Sequence, residues 1–477
     1  MERRRFLRLA SAAGAGVSLA NPFRLARSQP APDQPNVLFI IIEDLNDWVG
    51  PLRGHPNTLT PNLDAFAQTA VNFTNAFSCA AACNPSRTSI FTGLLPSSSG
   101  VYYNSQHWEF QLGSTYPTLP DRFHEAAYTN LLVGKFYHGL VDTPVWDLQF
   151  PTFNYHNMNG DDPYLPGHPY NGLNQSWQRG MSNDMLWGGS DNPEETFQDV
   201  QRASFVANRF NSDLPEPFMI AMGTRAAHLP WTPPRRFLEK FNPAEIELPP
   251  FLGRDLNDIP RGGINLIKPG LHQQVVQGRQ WHKAVLNYLA TINYVDEQIG
   301  RVLDALDNSP YADNTVVVIT SDHGHHLGEK HHWRKWTLWD ESLHVPLLIR
   351  APGVSTPGAT CRHTVSLVDL YPTLIDLCGL DEVPDLDGQS LRPQLMDAST
   401  ATGRPAISSN SPTAHTVRSN RYRYIYYGRE EGEELYDCWR DRNEWMNLAN
   451  DPGHGSIKRQ LRGWIPGIVN RMDRLDQ

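Results

Sequence analysis

The sequence predicts an α/β protein: a large mixed, mostly parallel sheet flanked by helices, then a smaller C-terminal α+β subdomain with a short antiparallel sheet. Three observations carry this reading. Asn36–Ile42 is an unbroken apolar run rich in β-branched residues, the pattern of a strand buried on both faces. Similar runs recur at Asn130–Val133, Phe218–Met222, Thr315–Thr320 and Val345–Ile349. Helical patterns lie between them, and strands alternating with helices imply parallel pairing. Beyond about Leu391 the pattern changes to short aromatic strands at Tyr422–Tyr427 and Glu434–Tyr436.

The helices follow from spacing and caps. Thr60-Pro61 opens one that runs through Ala70, with proline in its first turn. Ala284 to Leu306 is the clearest, because Val285, Leu289, Ile292, Val295, Ile299, Leu303 and Leu306 share one face. Asp369 to Cys378 forms another and stops at Gly379. A final amphipathic helix is expected near Ile457–Leu475. Residues 142–199 and 232–280, rich in Pro, Gly, Asn and Trp, are expected as long loops, which in a compact enzyme are usually functional.

Composition narrows the function. With 477 residues, 40% hydrophobic residues and 13 tryptophans, the chain has enough apolar surface for a large packed core and a second smaller one. Thirty-eight prolines and 35 glycines imply long ordered loops. A formal charge of −10 argues against nucleic acid as a partner. It also means that an anionic substrate must be held by local cations, not by the global field. Five cysteines, Cys79, Cys83, Cys361, Cys378 and Cys438, are too few and scattered for a disulfide scaffold, and the odd count leaves one unpaired. The sequence leaves open whether Cys361 and Cys378 pair.

At the N-terminus, Arg3-Arg4-Arg5-Phe6-Leu7-Arg8 precedes a small apolar stretch, Leu9 to Ala20, and resembles a twin-arginine leader. Residues 1–28 are therefore expected to be a signal peptide, residues 29–390 the catalytic domain and residues 391–477 the C-terminal subdomain. The location expected is periplasmic or secreted, without stable membrane insertion, since no later run is long and apolar enough for an anchor.

Chemistry in open α/β sheets gathers beyond the carboxyl ends of the strands. Two junctions stand out: Ile42 running into Glu43-Asp44, and Thr320 running into Ser321-Asp322-His323-Gly324. Carboxylates with a single imidazole suit a hard divalent cation, calcium first and magnesium or manganese next.

Cys83-Asn84-Pro85-Ser86-Arg87-Thr88-Ser89-Ile90-Phe91-Thr92-Gly93 resembles the signature of the type I, formylglycine-dependent sulfatases of the alkaline-phosphatase-like superfamily. Five further elements occur in that family's order: Glu43-Asp44, Gly134-Lys135-Phe136-Tyr137-His138, Ala227-His228-Leu229-Pro230, Asp322-His323 and the lysine stretch from Gly328 to Thr337. The resemblance implies that a formylglycine-generating or anaerobic sulfatase-maturating enzyme oxidises Cys83 to an aldehyde, whose hydrate attacks sulfur. It implies one Ca2+ per chain, on Glu43, Asp44, the residue at Cys83, Asp322 and His323. Lys135 would bind the sulfate, Arg87 would orient the hydrate and Lys335 would bridge sulfate and scissile oxygen. His228 would protonate the leaving alcohol or position its oxygen, and His138 would deprotonate the second hydroxyl so that sulfate departs. Arg225, His332 and Arg334 would contact the sugar.

Within the family the chain is most similar to the iduronate-2-sulfatase branch and its bacterial carbohydrate-sulfatase relatives, on Glu43-Asp44-Leu45-Asn46-Asp47-Trp48, the step from Lys135 to His138, and Asp322-His323-Gly324. The function implied is removal of sulfate from a sulfated mono- or oligosaccharide, with a 2-O-sulfated uronate or a related sugar as a candidate. Glu43 stands where the family usually has aspartate, Arg225 where this branch often has histidine and His325 where it often has tryptophan. A phosphodiester or phosphonate monoester hydrolase and a non-catalytic sulfated-glycan binder stay open as alternatives. Trp146, Trp177 and Trp187 could stack on sugar rings, but buried packing is the commoner fate of tryptophan.

Overall fold

The computed structural model describes residues 34–113, 115–138, 144–150 and 185–466. Its centre is an eight-stranded sheet: β1 (Asn36–Ile42), β2 (Val71–Phe73), β3 (Thr129–Gly134), β4 (Leu148–Phe150), β5 (Phe218–Gly223), β6 (Thr315–Ser321), β7 (Leu347–Arg350) and β8 (Thr360–Cys361), in the order β8-β2-β7-β6-β1-β5-β3-β4. Strands β6, β1, β5, β3 and β4 run parallel, and β7 is antiparallel to both its neighbours. All seven residues of β1 are buried, as an apolar run with no alternation requires. Its side chains divide by pleat. Leu38, Ile40 and Ile42 enter the core under one face, and Val37, Phe39 and Ile41 enter the core under the other.

The first core is covered by α1 (Pro61–Ala67), α3 (Gln198–Phe210) and α4 (Trp281–Asp307), the second by α2 (Cys83–Thr92) and α5 (Leu370–Leu377). Helix α4 is long because its apolar stripe never breaks, and it extends three residues beyond the predicted start. Helix α1 ends three residues short of Ala70. Its first turn is held by Asp296 on α4, whose carboxylate accepts from the backbone N–H groups of Asn62 and Leu63 at 3.1 and 2.9 Å. The run Val345–Ile349 is split by Pro346, which cannot donate to a ladder, into a bridge at His344–Val345 and β7.

The C-terminal part forms a four-stranded antiparallel sheet, β9 (Ala406–Ser411), β10 (Ala414–Arg418), β11 (Tyr422–Tyr426) and β12 (Glu433–Asp437), followed by α6 (Gly455–Arg462). Helix α6 is shorter than expected. A turn follows it, and the expectation past residue 466 lies outside the described residues, as does the leader. Ala406, Ala414, Ile425 and Tyr436 of this sheet, with Tyr427 just past β11, pack on Phe77, Ala81, Leu338, Trp339 and Leu343. The second sheet thus braces the two segments that lead into Cys83 and out of Lys335.

The expected loop at 232–280 contains helices Arg235–Leu238, Arg261–Ile264 and Pro269–Gln277, because its prolines sit at helix starts instead of breaking them. Of the loop at 142–199, residues 151–184 lie outside the described residues, while Leu148–Phe150 adds an edge strand and Gln198 begins α3. All five cysteines are free thiols, so Cys361 and Cys378 are not paired. No helix among the described residues is long and apolar enough to cross a membrane.

Register decides what the strand ends carry. Ile42 is level with Ser321, Ile41 with Gly223, and Gly134 with Gly223. The residues that follow, Glu43-Asp44, Asp322-His323, Thr224-Arg225 and Lys135, therefore emerge side by side. At Gly223 the β3 and β5 backbones approach so closely that a Cβ would sit 1.7 Å from the Lys135 carbonyl oxygen. Gly223→Ala is expected to push Lys135 out of this row, costing about 1–3 kcal/mol of stability and most of the activity. A variant with unchanged thermal midpoint and turnover would contradict that.

Candidate active site

Cys83 is the first residue of α2, and Ala82 before it is extended, so the thiol stands at a helix N-terminus where backbone N–H groups favour negative charge. The helix ends at Gly93, in the left-handed conformation (φ +69°) that glycine adopts without strain. Two contacts join its first turns to the end of β6. Ser86 Oγ donates to the Asp322 carbonyl, and Arg87 Nε donates to Asp322 Oδ2 at 2.8 Å, both side chains being fully buried. Arg87 Nη1 also donates to the carbonyls of Lys135 and Phe136, so one guanidinium fastens α2 to two strand ends.

Around the Cys83 sulfur lie Lys335 Nζ at 3.1 Å, His323 Nε2 at 3.3 Å and Glu43 Oε1 at 3.8 Å. Lys335 Nζ also bonds Asp44 Oδ1 at 2.7 Å, and Lys135 Nζ bonds Glu43 Oε1. Burial would raise the thiol pKa, but the ammonium groups of Lys135 and Lys335 and the His323 ring hold it well below the usual range. Burial would likewise favour protonated carboxyls. Lys335 and His323 outweigh it at Asp44, and Arg87 and His323 outweigh it at Asp322. Glu43 is lowered against its burial by Lys135 and then Arg225. For His323 burial acts downward, yet Asp322 and Asp44 carry it up to about 9. Three anionic carboxylates thus share a water-poor centre with fixed cations.

Oxygen, nitrogen and sulfur atoms of Asp44, Cys83, Asp322 and His323 lie within 4.8 Å of one another, and a second such group joins Glu43, Asp44 and His228. Two carboxylates, one imidazole and the atom at residue 83 fit a divalent cation that prefers oxygen. Glu43 falls in the second group, its longer side chain carrying the carboxylate to Lys135.

His228 Nδ1 faces the Leu229 carbonyl, so that nitrogen carries the proton, and Nε2 points at Glu43 Oε1 (4.0 Å) and Asp44 Oδ2 (3.9 Å). Burial, then the Arg225 charge, keeps the ring neutral. A neutral ring of this tautomer accepts at Nε2. Lys335 holds its proton firmly: burial would release it, but Asp44 and then Cys83 retain it. His138 lies three residues past Lys135 and is half-buried.

Lys335 follows a two-strand turn, His326–Leu327 paired with Trp333–Arg334. Lys330, His331, Arg334 and Trp336 all have positive φ, between +49° and +81°, and so does Asp44 at +55°. Backbone strain of this kind is held only where the surroundings over-determine it.

Most of the residues considered for the sugar are buried. His332 is buried. Its Nδ1 accepts from the Lys268 N–H at 3.1 Å and its Nε2–H donates to the Lys335 carbonyl at 2.8 Å, so both ring nitrogens are used to hold Lys335 instead of a substrate. Arg225 is 5% exposed, with its guanidinium 3.6 Å from Glu43 and donating to the Leu229 carbonyl at 3.0 Å. Arg334 lies half-buried beside Lys335. His325 is wholly buried, between Trp231, Tyr288 and Asp44, so it faces the core instead of the sugar. Trp146 packs on Phe136 and Tyr137, and Trp187 stacks on Trp231 and Trp333; Trp177 lies outside the described residues.

Sequence reasoning missed three supports. Asp199 accepts from the backbone N–H groups of Arg225 (2.9 Å) and Ala226 (2.8 Å). Tyr288 O–H donates to the Asp44 carbonyl at 2.9 Å, and Ser321 Oγ accepts from the Leu45 N–H at 3.0 Å. Ser321 could have been found from its place at a strand end; Asp199 and Tyr288 carry no local signal.

Residues 35–380 match the family model described as Sulfatase, and residues 328–469 match that described as N-sulphoglucosamine sulphohydrolase, C-terminal. A Formosa agariphila protein described as a sulfatase is 33% identical over 449 residues, spanning 91% of this chain and 87% of its own. The chain belongs to the sulfatase family. Iduronate 2-sulfatase of Mus musculus is 27% identical over 542 residues, spanning 92% of this chain and 95% of that one. The solved phosphonate monoester hydrolase SpPMH from Silicibacter pomeroyi shares the fold, with a TM-score of 0.74 and 23% identity over 92% of this chain and 96% of that one. The protein is thus a sulfuric ester hydrolase of carbohydrate-sulfatase type.

Removing one partner of a buried ion pair leaves the other charge uncompensated, at about 3–5 kcal/mol. Asp322→Asn and Asp322→Ala in this sulfatase both remove the charge that compensates Arg87, so each is expected to lose that much stability in denaturant unfolding. An Asp322→Asn variant as stable as the parent would show that the Arg87 charge is not what Asp322 compensates.

Proposed function

We propose that this sulfatase desulfates an anionic sugar, a 2-O-sulfated uronate or a close relative, using a formylglycine made from Cys83 and one bound Ca2+. The observation that carries the reading is the setting of Cys83: a buried thiol at a helix N-terminus, with Lys335 and His323 within 3.3 Å of its sulfur. A structural cysteine needs no such cations, and Cys79, buried with a pKa pushed up to about 11, shows the ordinary case in the same fold. The likeness to iduronate 2-sulfatase supports the sugar class.

The formylglycine hydrate would supply the nucleophile, with a second hydroxyl whose deprotonation expels sulfate. The cation, held by Asp44, Asp322, His323 and residue 83, would supply Lewis-acid polarisation of a sulfate oxygen. The chain's own residues do the rest. Lys135 and Lys335 present fixed positive charge to the sulfuryl oxygens, and because they are already in place the site pays little reorganisation when charge develops. Arg87 holds residue 83 at the strand ends, and its Nη2 is buried with no hydrogen-bond partner among the described residues, free for an oxygen of the bound group. Lys335 is the standing proton donor to the departing alcohol. His228 orients the ester oxygen and donates only once Nε2 has gained a proton. His138 is the remaining base, for the second hydroxyl. Maturation would need a formylglycine-generating or anaerobic sulfatase-maturating enzyme, and the leader-like N-terminus supports export, as folded protein, to the periplasm or beyond.

The test compares matched sulfate and phosphonate esters on enzyme purified from a host that matures sulfatases. Sulfate ester turnover is expected to dominate and to vanish in Cys83→Ala. Lys335→Met is expected to lower kcat by about 10²–10³, the usual cost of losing a fixed donor to developing charge. Chelation is expected to lower the thermal midpoint as well as activity, both restored by Ca2+. Faster turnover of the phosphonate ester, or a Cys83→Ala enzyme as active as the parent, would overturn the proposal.

A further inference from the structure

A cavity of about 920 Å³ lies away from Cys83, and none of its lining residues belongs to the site described above. It opens between the loop after β1, the ends of β2 and β8, and the C-terminal sheet. Four arginines reach it from four different elements: Arg53 after β1, Arg362 just past β8, Arg418 at the end of β10 and Arg442 after β12. Among the described residues Asp340 is the one acidic side chain in its lining, and Asp47 lies 3.3 Å from Arg442. Four arginines against two carboxylates, Asp340 in the wall and Asp47 at Arg442, on a chain of net charge −10, make a local field opposite in sign to that of the whole protein.

Internal pairing takes up only part of this charge: Arg418 donates from Nη1 to the Ser419 carbonyl and Arg442 reaches Asp47, while the other two arginines are unpaired among the described residues. Arg53 and Arg362 are exposed and make no ion pair among the described residues. Arg442 is two-thirds exposed and reaches Asp47 at 3.3 Å. Arg418 is only 7% exposed, yet its Nε, 3.9 Å from Asp340, has no hydrogen-bond partner. Asn72 in the same wall is 8% exposed, and its Oδ1 is equally without a partner. Buried polar atoms left this way cost stability unless something fills the space beside them. Arginine forks match carboxylate and sulfate-like oxygens, and the Asn72 oxygen suits a hydroxyl. At the rim, Trp439 is 70% exposed, and its indole N–H is fixed by the Asn420 carbonyl at 2.9 Å, which presents a ring of set orientation. Anion forks, a hydroxyl acceptor and an exposed indole together describe a sulfated or carboxylated saccharide. A volume of this size is in the range of sites that enclose a ligand of several rings.

We propose that this cavity is a second, non-catalytic site for a sulfated or uronate-bearing saccharide segment, anchored by Arg53, Arg362, Arg418 and Arg442. Its ligand class rests on the carbohydrate-sulfatase reading, and its role is to hold one stretch of an anionic chain while another is presented at Cys83.

The experiment titrates a heparin-derived decasaccharide into full-length Cys83→Ala protein, with and without Arg53→Glu/Arg362→Glu, by calorimetry. Both arginines are exposed and outside the catalytic centre, so the fold and the hydrolysis of 4-nitrophenyl sulfate by the Cys83 form are expected to be unchanged. The double reversal is expected to weaken decasaccharide binding about tenfold, that is about 1.4 kcal/mol, and Arg53→Lys/Arg362→Lys is expected to retain most of it. Affinity within twofold of the parent after the reversal would overturn the proposal. So would inorganic sulfate that competes as well as the decasaccharide, which would make the cavity a simple anion site. Should binding fall as expected while the parent enzyme desulfates no ester at all, the cavity stands and the sulfatase chemistry fails, so the two readings separate.

Discussion

The Arg87–Asp322 ion pair is the constraint on which the rest of the site depends. It is fully buried at 2.8 Å, and it ties the helix that begins at Cys83 to the strand that ends at Ser321. A charge pair in such a place is not kept for raw stability, since an apolar pair of equal volume could serve the fold as well. Its value here is geometric. The same guanidinium donates to the carbonyls of Lys135 and Phe136, so it fixes three chain segments against one another. Slide α2 by one turn and Cys83 would leave Lys335, His323 and the carboxylates together.

Electrostatics then follows from register. Parallel strands whose ends, Ile42, Ser321, Gly223 and Gly134, are level to within one residue release the residues after them at about one height, and most of those are charged. Glu43, Asp44 and Asp322 are balanced by Lys135, Lys335, Arg87 and Arg225 with no help from solvent. On a chain of charge −10 this is how an anionic ester can be bound at all. Cations are concentrated where water is excluded, and interactions are strong there because the dielectric is low. The positive φ values at Asp44 and around Lys335 are part of the same arrangement, since strained turns aim short side chains that relaxed ones would miss.

Much of this was legible in the sequence because it is local. The run Asn36–Ile42 is a strand in the structure with the same limits, and the acidic residues at its end sit where strand-end chemistry is expected. The Cys83 motif and the residues after Thr320 were equally readable, since each is a continuous stretch of sequence. What was not legible depends on tertiary packing. His332 and Lys335 share one stretch of sequence, but only the fold shows that one ring holds the other residue's backbone. Arg225 was expected at the sugar, and only the fold shows its guanidinium beside Glu43, as only the fold shows His325 between Trp231, Tyr288 and Asp44. Asp199 and Tyr288 act from helices that follow or precede the site by many residues, with no motif to mark them. The prolines of 232–280 suggested loop, and only helix ends in contact with the core show that they start short helices.

The most direct test of the account is the mass of the Cys83 peptide, taken from enzyme whose specific activity on a sulfate ester is measured in the same preparation. The account predicts the aldehyde or its hydrate in place of the thiol, with activity rising in proportion to the converted fraction across preparations. Full sulfate release from protein whose Cys83 peptide carries only an intact thiol would contradict it.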